Sequence, residues 1–124
     1  MYILTVENTF AAAHQLRGYK GKCENIHGHN WKVVLSVEGT RLNDIGLLID
    51  FHDLKAILKE KLNLLDHKNI NEVPPFDEEN PSSENLARFL SEEINDALQK
   101  LDQGVSVHSV TVWESDTSRC TYRP

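Results

Sequence analysis

A chain of 124 residues, 40% hydrophobic and 26% charged, has room for one domain with a hydrophobic core and for no second one. Its net charge of −6 argues against nucleic acid as a partner, because phosphate binding requires a basic surface. The first residues, Met1 to Glu7, carry neither a basic leader nor a long apolar run, so the expectation is a cytoplasmic protein with no membrane span, whose Cys23 and Cys120 are free thiols.

Residues 2–14 alternate. Tyr2, Leu4, Val6, Phe10, Ala12 and His14 share one face, and Asn8 is the polar interruption. Period two is the mark of a strand with one buried face. From His27 the pattern returns, with Trp31, Val33, Leu35 and Val37 facing one way and Lys32, Ser36 and Glu38 the other. Turn residues follow each strand, at Arg17 to Gly21 and at Glu38-Gly39-Thr40. By parity, His14 lies on the apolar side of the first strand, and His27 and His29 on that of the second. Alternate residues on a strand face stand roughly 6.5 Å apart along the backbone. Two imidazoles at that spacing can converge on one ion, with a third from the neighbouring strand, while Gly28 between them leaves the opposite face open.

Two helices come next. Asp50 is an N-cap before Phe51, Leu54, Ile57, Leu58 and Leu62, spaced three and four apart. Asn63 to Asn71 is irregular, and a loop with Pro74, Pro75, Asp77 and Asn80 follows. Pro81-Ser82-Ser83-Glu84 opens a second helix carrying Leu86, Leu90, Ile94, Ala97 and Leu101. Beyond Gly104, Val105 and Val107 have one parity and Val110 and Val112 the other, which predicts a bulge near His108-Ser109. A short strand around Cys120-Thr121-Tyr122 completes the order β-β-α-α-β-β. The fold class is α+β.

Three neutral imidazoles hold a zinc ion and leave its fourth position open, the pattern of a catalytic rather than a structural site. Copper, iron and nickel also accept imidazole. His52 and His108 lack such company and read as surface or packing residues. Cys23 lies in a polar Gly/Lys/Glu/Asn segment, where a nearby cation favours its reactive thiolate; Cys120 reads as structural. Asp66 beside His67 can orient the imidazole and stabilise its protonated form. Read alone, that pair is a polar loop, and Glu114 is a solvated strand end. An anionic substrate would need a local positive patch from Arg17, Lys20, Lys22 or Lys68.

Six motifs then fall in order: Phe10-Ala11-Ala12-Ala13-His14, Cys23-x3-His27-Gly28-His29-Asn30, Leu48-Ile49-Asp50-Phe51, Leu65-Asp66-His67, Asn80-Pro81-Ser82-Ser83-Glu84-Asn85 and Val112-Trp113-Glu114-Ser115. Together they resemble the 6-pyruvoyl-tetrahydropterin synthase family over nearly the whole chain. The three-residue spacing between Cys23 and His27 resembles its bacterial branch, the 6-carboxytetrahydropterin synthases of queuosine biosynthesis.

The resemblance implies one tunnelling-fold (T-fold) domain over residues 1–124, with a four-stranded antiparallel sheet and both helices on one face. Three subunits would close into a barrel, and two trimers would stack as a homo-hexamer. Zn2+ would sit on His14, His27 and His29. Cys23, Asp66 and His67 would transfer protons, Glu114 would anchor the pterin edge, and Ser83 and Glu84 would help bind it, although Ser82 or Ser83 could equally be a plain helix cap. The implied lyase reaction converts 7,8-dihydroneopterin triphosphate to 6-carboxytetrahydropterin, acetaldehyde and triphosphate. Pyruvoyl synthase chemistry, a folate-type product in which a glutamate replaces the cysteine, and a non-catalytic pterin- or metal-binding module are the alternatives.

Overall fold

Strand pairing persists through the full length of the first hairpin, although Tyr2 and Asn8 of the expected inner face are exposed. In the computed structural model, which describes residues 1–18 and 25–124, strand β1 (Tyr2–His14) pairs antiparallel with β2 (His27–Gly39) from Tyr2↔Gly39 to His14↔His27 without a break in register. Helix α1 (Phe51–Leu62), a short 3-10 turn (Ile70–Glu72) and helix α2 (Ser83–Leu101) follow, then β3 (Ser106–Ser115) and β4 (Ser118–Tyr122). The sheet is antiparallel throughout, in the order β1-β2-β3-β4.

Helix boundaries follow from local chemistry. The Asp50 side chain accepts the His52 N–H at 2.7 Å and Ser82 accepts the Asn85 N–H at 3.2 Å, each filling an otherwise orphaned donor of the first turn. Ser82 is therefore the cap, and Ser83 is released for other contacts. The apolar stripes Leu54/Leu58/Leu62 and Leu86/Leu90/Ile94/Leu98 pack on the sheet face carrying Val6, Phe10, Trp31, Val33, Leu35, Val110 and Val112. The opposite sheet face is polar and uncovered, with Thr5 bonded to Ser36, Thr111 to Thr121, and Lys32 paired with Glu7.

The β2–β3 ladder slips where Ser36↔Ser109 gives way to Val37↔Val107, so His108 is the extra residue of the expected bulge. Asn95 of α2 reaches across, its Oδ1 accepting the Val107 N–H at 3.2 Å. On the outer edge of β1, the Lys68 carbonyl accepts the Ala13 N–H (3.0 Å) and Ala11 accepts the His67 N–H (2.6 Å). This cover sits at the end of the strand that bears His14.

Truncating Asn95 to Ala strands a part-buried N–H beside the bulge. A loss of about 1–3 kcal/mol is expected, read as a lowered urea midpoint with an unchanged slope.

Candidate metal centre

Register brings the imidazoles together. His14 and His27 are direct cross-strand partners, and His29 lies opposite Ala12, two residues further along the same face. Trp31 forms the floor. It is fully buried, its indole N–H donates to the Ala12 carbonyl (3.2 Å), and its ring lies 4.8 Å from that of His14 and 5.1 Å from that of His29. Glu114 enters from β3, one residue beyond Trp113, the partner of Lys32. One ligand atom from each of His14, His27, His29 and Glu114 falls within a 4.8 Å span.

Backbone carbonyls decide the tautomers. His14 Nδ1 lies 2.7 Å from the Pro81 carbonyl, and His27 Nδ1 lies 2.7 Å from the Asn25 carbonyl. A carbonyl only accepts, so both rings carry their proton on Nδ1. In the neutral rings, both Nε2 lone pairs then confront each other at 3.0 Å. Such a pair repels unless a proton or a cation stands between them. Burial pushes His14 below its ordinary pKa, only partly opposed by the Pro81 carbonyl, and the neighbouring His27 pushes it down further. His29 is lowered as well, chiefly by burial, against the pull of Glu114. A proton is thus disfavoured and a metal cation is favoured, since metals take the neutral ring. The donor set fits: ligating histidines commonly donate their other N–H to a carbonyl, and the buried His29 Nε2 has no hydrogen-bond partner.

Glu114 divides its two oxygens. Ser83 Oγ donates to Oε2 at 3.2 Å, whereas Oε1 lies 3.4 Å from His29 Nε2, outside hydrogen-bond alignment. Beside this carboxylate opens a cavity of about 380 Å³ lined by Ser83, Glu84, Glu114, Ser118, Arg119 and Cys120. The Cys120 thiol is pushed up by burial and by the Glu84 carboxylate, so it is an unreactive wall residue. Its raised pKa and its place on the cavity wall beside Glu84 agree with the reading of Cys120 as structural.

Asp66 and His67 are joined to each other, with Nδ1 2.9 Å from Oδ1. The Ala11 N–H, the strongest influence, and His67 hold the Asp66 carboxyl below its usual range. His67 adopts a left-handed backbone (φ 59°), points largely into solvent, and lines a different cavity of about 530 Å³ with Lys68, Asn69 and Glu72. Within one chain, that pair does not border the Glu114 cavity. Cys23, Lys20 and Lys22 lie outside the described residues. Arg17 is not free for an anion, because its guanidinium donates to the Phe76 and Glu79 carbonyls.

Backbone carbonyls at Asn25 and Pro81 escaped the sequence reading because any residue type supplies one. The same holds for Arg119 and Cys120, which enter the cavity only through the β3–β4 pairing.

Residues 3–124 match the family model described as 6-pyruvoyl tetrahydropterin synthase. The chain belongs to that family. It is 33% identical to the 6-pyruvoyl tetrahydrobiopterin synthase of Dictyostelium discoideum, over 98% of this chain and 95% of the relative. It is 36% identical to the 6-carboxy-5,6,7,8-tetrahydropterin synthase of Synechocystis, over 98% and 93%. The structure of 6-pyruvoyl tetrahydropterin synthase from Caenorhabditis elegans superposes with a TM-score of 0.84 at 28% identity, covering 100% of this chain and 97% of that one. The tunnelling fold of the subunit is thereby shown.

Zinc at about 100 times its dissociation constant is expected to stabilise the protein by about 2.7 kcal/mol, read as a raised urea midpoint. His14→Ala should abolish that increment.

Proposed function

We propose that this family member is a zinc-dependent lyase converting 7,8-dihydroneopterin triphosphate and water to 6-carboxy-5,6,7,8-tetrahydropterin, acetaldehyde and triphosphate, a cytoplasmic step of queuosine biosynthesis. The observation that carries it is the convergence of three Nε2 atoms and the Glu114 carboxylate beside a cavity, in a chain similar along nearly its whole length to relatives named 6-carboxy-5,6,7,8-tetrahydropterin synthase. The three-residue spacing from Cys23 to His27 supports this branch. A pyruvoyl product is the second reading, favoured by the similarity to the Dictyostelium relative.

In this reading His14, His27 and His29 hold the ion. Bound zinc supplies Lewis acidity and a template for the substrate's side-chain hydroxyls. Glu114 accepts hydrogen bonds from the 2-amino and ring N–H edge of the pterin, with Ser83 orienting its carboxylate and Glu84 on the cavity wall. Cys23, as thiolate, removes a side-chain proton. His67 moves protons at Nε2, because its Nδ1 is engaged with Asp66.

For His67 to meet the Glu114 cavity, a second subunit must bring it there. The short edge strand β4, the uncovered polar sheet face and the partly covered edge of β1 support closure of three chains into a barrel, and two such trimers into a hexamer.

Zinc-loaded protein incubated with dihydroneopterin triphosphate and no reductase should yield 6-carboxytetrahydropterin and acetaldehyde by mass spectrometry. A 6-pyruvoyl product would select the second reading. No turnover by protein shown to hold zinc would leave a binding module. Cys23→Ala should keep its zinc and lose at least about 100-fold in kcat, whereas His27→Ala should lose both metal and turnover.

A further inference from the structure

The position of Glu114 goes beyond an anchor for substrate. We infer that in the substrate-free protein Glu114 Oε1 is the fourth ligand of the metal, and that a pterin opens the site by drawing this carboxylate away. The second half rests on the function proposed above; the first half does not.

Four ligands on zinc at about 2.0–2.1 Å in a tetrahedron are separated from one another by roughly 3.3–3.4 Å. His29 Nε2 and Glu114 Oε1 stand 3.4 Å apart, and His14 Nε2 and His27 Nε2 stand 3.0 Å apart. The first pair has the dimension of a polyhedron edge and the second is somewhat shorter; all four donor atoms lie within 4.8 Å of one another, so an ion would draw the most distant of them slightly inward. The His29–Glu114 contact is not a hydrogen bond, and His29 Nε2 is otherwise orphaned although fully buried. Two donor atoms this close that make no hydrogen bond to each other leave room for an ion to join them.

The carboxylate is also held for single-oxygen binding. Ser83 occupies Oε2 from the first turn of α2, leaving Oε1 turned to the imidazoles. A carboxylate would reduce the net charge of a three-imidazole dication from two to one, in a setting where His14 and Trp31 exclude water. A pterin's paired N–H donors need both carboxylate oxygens in the plane of the ring edge, so meeting them would turn Oε1 away from the ion. Pterin capture would therefore vacate a coordination position at the moment a hydroxyl arrives to fill it, and the metal would stay closed to water between turnovers.

The test uses full-length protein loaded with Co2+, read by visible absorption, by EPR line width in 17O-enriched water, and by chelator competition, with no turnover needed. Wild type should show no 17O broadening. Glu114→Ala should gain a broadened, water-bound spectrum and bind cobalt at least about tenfold more weakly. Broadening in wild type equal to that in Glu114→Ala, with equal affinity, overturns the fourth-ligand assignment whether or not the variant folds as well as wild type. Adding 7,8-dihydroneopterin, which lacks the leaving group, should shift the wild-type spectrum. An unmoved spectrum with this compound bound, shown by equilibrium dialysis, overturns the gating while leaving the closed site in place. Failure to bind cobalt at all overturns both, together with the metal centre itself. Loss of turnover with the spectra as expected would count only against the proposed reaction.

Discussion

Two imidazole lone pairs held 3.0 Å apart are the constraint around which this molecule is arranged. Neither ring can turn away. Each is fixed through Nδ1 to a main-chain carbonyl, and the two strands that carry them are locked in register for their entire length. A folded protein tolerates such a repulsion only where something offsets it, and a divalent cation does so without the charge on imidazole that burial disfavours. The cost of preorganising the site falls on the sheet and on Trp31 beneath it.

The segment that leads into α2 joins the histidine cluster to the cavity side. Pro81 offers its carbonyl to His14, Ser82 caps the helix, and Ser83 holds Glu114. Asn80 grips the chain beyond His14 from both directions, accepting the Arg17 N–H and donating to the Arg17 carbonyl, and Asn71 treats Gln15 in the same way. Two amide side chains thus stand in for a missing strand along residues 15–17. Movement at the start of α2 would be felt at once by His14 and by the Glu114 carboxylate, because their partners Pro81 and Ser83 are two residues apart.

Much of this was legible in the residues, for a physical reason. Strand periodicity is an integer, so parity alone assigns His14, His27 and His29 to one face, and an unbroken register then makes them neighbours. The cap at Asp50, a serine cap at Ser82 or Ser83, and the bulge near His108 were readable because each answers a local hydrogen-bonding need. Other features depended on the tertiary course of the chain. Arg17 could be read as an anion ligand until folding committed it to two carbonyls. Glu114 alone was a plain strand end, and its meaning comes from a helix terminus 31 positions away in sequence. The separation of His67 from the Glu114 cavity follows from a backbone path along the outer edge of β1, which the dipeptide Asp66-His67 does not encode.

The two tryptophans sit in opposite surroundings. Trp31 is sealed in the core against His14 and His29, whereas Trp113 lies on the uncovered sheet face with Lys32 Nζ 5.4 Å and the Arg119 guanidinium 4.5 Å from its ring centroid. One indole adjoins the candidate ligands and the other looks onto the surface that a closed barrel would turn inward. The chain therefore carries two native fluorophores in separate surroundings, so that an ion in the histidine cluster would be felt by the first and a partner on the open sheet face by the second. No label is needed to tell those events apart, only replacement of either indole by phenylalanine.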